Sequence, residues 1–166
     1  MRLASILLSL ITFTQAQELV WDKLTESQKQ VAREVYKLGK PYNLGATLTA
    51  IAWQESRLGG YPINLQDPSC GVMHINVKTY LGLHKLKDTP YNRNWYCSKL
   101  INDVRLNVAT AIEVLLWFKA YHKGSYNKMV KSYNAGFNTH LERADRYYKQ
   151  VYHNVKILEN LKWGLE

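Results

Sequence analysis

Residues 44–60 read LGATLTAIAWQESRLGG and predict a helix with one carboxylate on its apolar face. The apolar residues recur three or four positions apart, as on a single helical face: Leu44, Leu48, Ile51, Ala52 and Leu58. Glu55 falls on the same face, where a leucine would be usual. Gly59 and Gly60 are predicted to end the helix, so Glu55 should lie in its last turn.

The position of Glu55 suggests acid–base chemistry. Burial among apolar side chains disfavours a carboxylate anion, and so does the negative end of the helix dipole. Both effects favour the neutral carboxylic acid, which is the form that a glycosidase uses as its general acid. The alternative is a partly exposed glutamate at a frayed helix end.

Several motifs follow Glu55-Ser56 in a set order. They are Gly71-Val72-Met73-His74, then Asn107, then Tyr133-Asn134-Ala135-Gly136, then Tyr148. This order resembles the catalytic domain of the soluble lytic transglycosylase family, the lysozyme-like enzymes that cut bacterial peptidoglycan. The resemblance runs from about Leu44 to about Val155, and it departs from the family at His74, where glutamine is usual. Tyr147 is an alternative to Tyr148, because two residues separate Tyr148 from Val151.

The resemblance implies a mainly α, lysozyme-like single domain with a catalytic cleft. A minor β-hairpin within residues 60–75 is compatible with that fold. The implied activity is that of a lytic transglycosylase, which cleaves the β-1,4 bond between N-acetylmuramic acid and N-acetylglucosamine. Glu55 would donate a proton to the glycosidic oxygen and then take one from the muramic acid 6-hydroxyl. The product would carry a 1,6-anhydro ring, formed without water.

The resemblance also implies a set of substrate-binding residues. These are Ser56, Met73, His74, Tyr133, Asn134 and Tyr148. Ser56 is equally well explained as a polar neighbour of the helix end, and the spacing of Met73 favours core packing. Tyr148 would hydrogen-bond Glu55, and Gly136 would supply backbone freedom at a helix end.

The possible glycosidase reactions differ mainly in whether they need a second carboxylate. Most glycosidases use two, and Asp67 is the obvious second choice, although Pro68 suggests that it forms a turn. A lysozyme that hydrolyses with water is therefore the first alternative to a transglycosylase. The second is a non-catalytic wall-binding protein of a secretion or phage assembly, for which His74 is the sole sequence indication.

The N-terminus predicts export. Arg2 and an apolar run over residues 3–13 precede Thr14-Gln15-Ala16, so residues 1–16 are predicted to be a signal peptide and 17–166 the transglycosylase domain. The run is shorter than the roughly 20 apolar residues of a membrane span, and an uncleaved anchor is the alternative. We expect a periplasmic or secreted protein with no stable membrane anchor after cleavage. The resemblance is to small members linked to secretion or pilus systems and to phage lysins.

Charge and composition limit the partners. The formal net charge is +9, which favours anionic partners such as a cell wall with peptide carboxylates. No motif for nucleic-acid or phosphate binding is present, and the five histidines lack metal-ligand spacing. We therefore predict no cofactor, no metal and no nucleic acid, with peptidoglycan glycan strands as the partner. Cys70 and Cys97 could form one disulfide in an exported protein, or remain two buried thiols.

The remaining sequence predicts further helices. A capping box at Thr25–Gln28 opens a helix that ends at Gly39. We predict a short helix over 72–81, a loop over 85–94, and a helix from Val104 that ends near Gly124. Ser125 should cap a short helix, and a second capping box at Thr139–Glu142 should open the last one. Its core-facing residues are predicted to be Leu141, Ala144, Tyr148, Val151, Val155 and Leu158.

Overall fold

The computed structural model describes residues 18–64 and 66–161, so the predicted signal peptide lies outside the described residues. The described chain is mainly α, with seven α-helices and one small antiparallel sheet. The helices are α1 (Glu26–Gly39), α2 (Gly45–Ser56), α3 (Val77–Leu83), α4 (Pro90–Asn102), α5 (Val104–Tyr121), α6 (Tyr126–Ala135) and α7 (Glu142–Asn160). The strands are β1 (Ile63–Asn64), β2 (Ser69–Cys70) and β3 (Ile75–Asn76). No helix of this described part is both long and apolar enough to cross a membrane.

Helix α2 is the central helix of the fold and packs against α1 and α7. It is buried on most sides rather than on one face, and even Thr47 and Thr49 are buried. The Thr49 hydroxyl satisfies its hydrogen bond by donating to the Gly45 carbonyl at 2.9 Å, as a buried hydroxyl must. The prediction of a one-sided apolar face was therefore wrong, while the predicted helix and the place of Glu55 in its last turn are confirmed.

The end of α2 differs from the predicted one. The helix stops at Ser56, because Arg57 and Leu58 adopt left-handed backbone with φ of 55° and 57°. The Leu58 amide donates to the Ala52 carbonyl at 3.1 Å, which is the bonding of a helix-terminating turn. Leu58 is only 2% exposed. Burial of the Leu58 side chain offsets a conformation that is normally left to glycine.

The predicted hairpin within residues 60–75 is confirmed and extends to three strands. Ile63 pairs with Cys70, and Cys70 pairs with Ile75, so β2 is the middle strand. The predicted helix over 72–81 was wrong in its start. Residues 71–74 form a turn before β3, and the Asn76 side chain then caps α3 by accepting from the Thr79 amide at 3.2 Å.

The predicted loop over 85–94 was wrong in its second half, because α4 begins at Pro90. Thr89 caps this helix, and proline is favoured at a first helical position, where its missing N–H costs nothing. The disulfide between Cys70 and Cys97 is present, with 5.4 Å between the Cα atoms. It ties β2 to α4 and confirms the predicted pairing.

For the other helices, most of the predicted ends and caps agree with the structure. The capping box at Thr25 and Gln28, the helix end at Gly39 and the cap by Ser125 are all confirmed. The predicted second capping box was wrong, since α7 begins at Glu142 and Leu141 caps it without a side-chain bond. The buried residues of α7 are Ala144, Tyr147, Val151, Asn154, Val155 and Leu158.

Candidate active site

A cleft of about 360 Å³ opens beside the end of α2. Its walls come from the end of α2, the small sheet, the start of α3, the middle of α5 and the end of α6. The residues that line it include Glu55, Asn64, Asp67, His74, Asn76, Thr79, Val114, Phe118, Tyr133, Asn134 and Gly136. The cleft therefore joins three of the five sequence motifs that the resemblance singled out, those of Glu55, His74 and Tyr133–Gly136.

Glu55 enters this cleft from the last turn of α2, with its side chain 19% exposed. The Tyr147 hydroxyl donates a hydrogen bond to Glu55 Oε1 at 2.6 Å. Burial, together with the negative charge of Glu55, raises the pKa of Tyr147 well above its usual value. Tyr147 consequently stays protonated and can only donate to the carboxyl group, which fixes the orientation of Glu55.

His74 lies on the other side of the same carboxyl group. Its Nδ1 is 3.5 Å from Glu55 Oε2, and its Nε2–H donates to the Tyr61 carbonyl at 2.6 Å. Burial lowers the pKa of His74, but the hydrogen bond to Glu55, the Tyr61 carbonyl and the Glu55 charge outweigh burial and raise this pKa overall. A protonated His74 would therefore form an ion pair with the Glu55 carboxylate.

The turn at residues 71–74 is held by side chains from two distant helices. Asn107 of α5 donates from Nδ2 to the Cys70 carbonyl at 2.8 Å and accepts from the Met73 amide at 2.7 Å. Tyr133 of α6 donates to the Met73 carbonyl at 2.8 Å. Burial and the Glu55 charge raise the pKa of Tyr133 well above its usual value, so Tyr133 also remains a donor. These bonds fix the backbone that carries His74.

Gly71 is required in this turn. Its φ is +81°, and a Cβ at this position would lie 2.2 Å from both the Leu100 carbonyl oxygen and Asn107 Nδ2. Neither neighbour can move freely, because Leu100 O belongs to the backbone of α4 and Asn107 is bonded on both sides. Gly136 at the end of α6 also has positive φ, 58°, which confirms the predicted need for backbone freedom.

The structure corrects the predicted roles of Ser56 and Met73. Both side chains are completely buried, so neither is placed to contact a sugar. The Ser56 hydroxyl donates to the Val72 carbonyl at 2.7 Å and accepts from the Gly59 amide at 2.8 Å. Met73 belongs to the hydrophobic core. These two residues support the site from behind the cleft, whereas His74, Tyr133 and Asn134 do line it.

The predicted hydrogen bond between Tyr148 and Glu55 was also wrong. It is Tyr147 that reaches Glu55, while the Tyr148 ring contacts Tyr126 and Tyr152, with centroids 6.3 and 5.6 Å away. The buried face of α7 includes Ala144, Tyr147 and Val151, which are three and then four residues apart. Phe118 also lines the cleft, and it was not among the predicted site residues, because an apolar residue in a predicted helix gives no sign that it faces a cleft.

Asp67 brings a second carboxyl group to the cleft. It is exposed on the turn between β1 and β2 and lines the cleft with Glu55. Asn76 donates to Asp67 Oδ1 at 2.6 Å. This bond supports the predicted turn role of Asp67.

Comparison with known proteins agrees with this geometry. The sequence model of the Transglycosylase SLT domain family matches residues 26–156. An uncharacterized 20.7 kDa protein of Enterobacteria phage T4, from the vs-regB intergenic region, is 29% identical over 134 residues. That alignment covers 78% of this chain and 68% of the phage protein. No solved structure gives a significant match. With the family match spanning most of the chain and three of the motifs lining one cleft, the protein belongs to the Transglycosylase SLT domain family and has its lysozyme-like fold.

Proposed function

We propose that this protein is a peptidoglycan lytic transglycosylase. It would cleave the β-1,4 bond between N-acetylmuramic acid and N-acetylglucosamine and leave a 1,6-anhydro end, for local opening or lysis of the cell wall. The observation that carries the proposal is the placement of Glu55 inside the cleft, with a protonated tyrosine bonded to one carboxyl oxygen. A single, well-oriented carboxyl group is what a one-acid mechanism requires.

The proposed reaction begins with a protonated Glu55. Its proton passes to the glycosidic oxygen, the bond from that oxygen to the anomeric carbon breaks, and the N-acetylglucosamine hydroxyl leaves. The substrate's own 2-acetamido group stabilises the positive charge on the anomeric carbon. Glu55, now a carboxylate, takes the proton of the muramic acid 6-hydroxyl. The 6-oxygen then bonds to the anomeric carbon, which closes the anhydro ring and restores the acid.

Tyr147 would serve both halves of this cycle, and His74 would serve one of them. Tyr147 donates in both halves and keeps the carboxyl group aimed at the substrate. His74 would act when Glu55 is ionised, because its Nδ1 lies 3.5 Å from Glu55 Oε2 and a protonated ring can donate to that oxygen. Two donors on two different oxygens would limit rotation of the carboxyl group between its acid and base steps.

Hydrolysis by a lysozyme-type muramidase is the second candidate. The observation in its favour is Asp67, whose carboxyl group lines the same cleft as Glu55. In an inverting hydrolase a second carboxylate activates water. The bond between Asp67 and Asn76 favours a structural role for Asp67, so transglycosylation remains the preferred proposal.

Product mass separates these candidates. Purified peptidoglycan sacculi are digested with the protein, and the released fragments are analysed by mass spectrometry. A transglycosylase gives anhydro ends, which are lighter than hydrolysed ends by one water. Hydrolysed ends that disappear in an Asp67→Asn variant would establish the muramidase instead. If no fragments are released while the protein stays on the sacculi, the protein is a non-catalytic wall binder.

Export to the periplasm or to the outside of the cell is part of the proposal. The disulfide between Cys70 and Cys97 supports it, because disulfides persist mainly in oxidising compartments. Cleavage of residues 1–16 and association with a secretion or pilus assembly stay predictions. N-terminal sequencing of the exported protein tests the cleavage site after Ala16.

A further inference from the structure

Three exposed aromatic rings lie together beside one end of the cleft. Trp117 and Tyr121 lie one turn apart on α5, and Phe137 comes two residues after the end of α6. Their side chains are 49%, 56% and 61% exposed. We call these three residues the aromatic platform.

The rings of the platform contact one another. The planes of Trp117 and Tyr121 are within 11° of parallel, with centroids 5.5 Å apart. The Phe137 ring stands nearly perpendicular to both, at 5.8 and 5.2 Å. Because each ring restrains its neighbours, the platform is a pre-formed apolar surface rather than three independent side chains.

Phe118 joins the platform to the cleft. It lines the cleft, and its ring lies 5.0 Å from the Trp117 ring and 5.9 Å from the Phe137 ring. Gly136, the neighbour of Phe137, lines the cleft as well. A polymer that left the cleft at this end would therefore meet the platform next.

The size of the platform fits a sugar better than a protein partner. The exposed residues near it in sequence include the polar Lys119, Lys123 and Asn138. A stable protein interface covers about 800 Å² on each partner, far more than three half-exposed rings provide. A β-linked pyranose presents a flat face of C–H groups, which packs well on an aromatic ring.

We propose that the aromatic platform is an additional binding site for a glycan strand, which holds sugars of the strand beyond those in the cleft. The proposal rests on the proposed function for the identity of the strand. It predicts that the protein prefers long strands to short ones. The residue expected to contribute most is Trp117, whose ring touches the other two platform rings and Phe118.

Binding measurements on the full-length exported protein test this site. A Glu55→Gln background keeps the strands intact, and the probes are peptide-free peptidoglycan glycan strands and a tetrasaccharide cut from them. We expect Trp117→Ala to weaken binding of the long strand roughly three- to tenfold more than binding of the tetrasaccharide, as for loss of one aromatic contact. Trp117→Phe, which keeps a ring, should restore part of the loss.

Trp95 supplies a matched control. It is also 49% exposed and also stacks on a neighbouring tyrosine, Tyr91, but it lies on α4 and does not line the cleft. Trp95→Ala should leave the affinity for both probes unchanged. Equal losses for the two probe lengths, or equal losses for the two tryptophan variants, would overturn the proposal.

Three further outcomes separate the possible failures. If Trp117→Ala abolishes binding to phosphatidylglycerol vesicles while glycan affinity is unchanged, the platform is a membrane-contact surface and the proposal is wrong. Failure of the Glu55→Gln protein to bind either glycan probe also overturns it. If the wild type binds long strands through Trp117 but releases no product from sacculi, the platform stands and the proposed activity fails.

Discussion

The Tyr147 hydroxyl lies 2.6 Å from Glu55 Oε1 and connects α7 to the last turn of α2. These two helices are 92 residues apart in sequence at this contact, and they pack along one another. The position of the proposed acid is therefore set by the central helix and by the longest helix together. Removal of the tyrosine hydroxyl should affect Glu55 without disturbing the packing of either helix.

Tyr147→Phe is expected to lower kcat on sacculi. A hydrogen bond to a charged group contributes about 1.5–3 kcal/mol, which corresponds to roughly a ten- to hundredfold loss of rate. Initial rates of fragment release give the comparison. Tyr148→Phe is the control, since its ring packs against Tyr126 and Tyr152, and it should retain nearly full activity. If the two variants lose activity equally, the hydrogen bond to Glu55 has no special role.

The central helix and its acid could be predicted from the sequence, but the exact partner of Glu55 could not. Two adjacent tyrosines precede Val151, and which one faces inward depends on the register of α7 against α2. The buried contact with Glu55 selects Tyr147, a tertiary constraint that no local pattern contains. Similarly, residues 85–94 were predicted to form a loop, although Pro90 is favourable at the first position of a helix when Thr89 supplies the cap.

The motifs predicted which residues belong to the site, but not the role of each one. A motif shows that residues act together, but it does not separate those that touch substrate from those that support the backbone. Ser56 and Met73 are in the second group, because their bonds and contacts go to the turn at 71–74 and to the core. The end of α2 was also predicted wrongly. Burial of the Leu58 side chain, rather than the local sequence, stabilises the left-handed backbone at this residue.

His74→Gln should change how stability depends on pH. The pKa of His74 is raised in the folded protein, so the imidazolium stabilises the fold fully below the unfolded pKa of about 6.5. That contribution is lost as the pH rises through the folded pKa. The free energy of unfolding of the wild type should exceed that of the variant near pH 6 by on the order of 1 kcal/mol, and the difference should shrink by pH 9.

Urea unfolding at several pH values measures this difference. His140→Gln is the control for loss of an imidazole, because His140 is exposed in the segment before α7, and near pH 6 it should lose less stability than His74→Gln. A difference between wild type and His74→Gln that grows from pH 6 to pH 9 would contradict the ion pair with Glu55.

Gly71→Ala should destabilise the fold far more than Gly59→Ala. Both glycines have strongly positive φ, 81° and 88°, so each alanine costs about 1–2 kcal/mol in backbone strain. A Cβ at position 59 meets nothing within 4 Å, whereas one at 71 collides with Leu100 O and Asn107. Thermal unfolding of the two variants gives the comparison, and equal effects would show that the turn at 71–74 is not tightly held.

Loss of the disulfide should destabilise the protein. Cys70 and Cys97 are 27 residues apart, and closing a loop of this length is worth about 3–4 kcal/mol in the chain-entropy account. Urea unfolding of a Cys70→Ser/Cys97→Ser double variant, compared with wild type in the absence of reductant, measures this. If reductant lowers the stability of wild type but not of the double variant, the effect belongs to the bridge. A double variant as stable as the oxidised wild type would contradict the expectation.

The most direct test of Glu55 is the rate of fragment release from sacculi by Glu55→Gln. The amide keeps the shape of the side chain but cannot give up a proton to the glycosidic oxygen. We expect the rate to fall by at least about 10²–10⁴-fold, the usual contribution of general acid–base catalysis, while circular dichroism and glycan binding remain those of the wild type. A folded Glu55→Gln protein that released fragments within tenfold of the wild-type rate would show that Glu55 is not the acid.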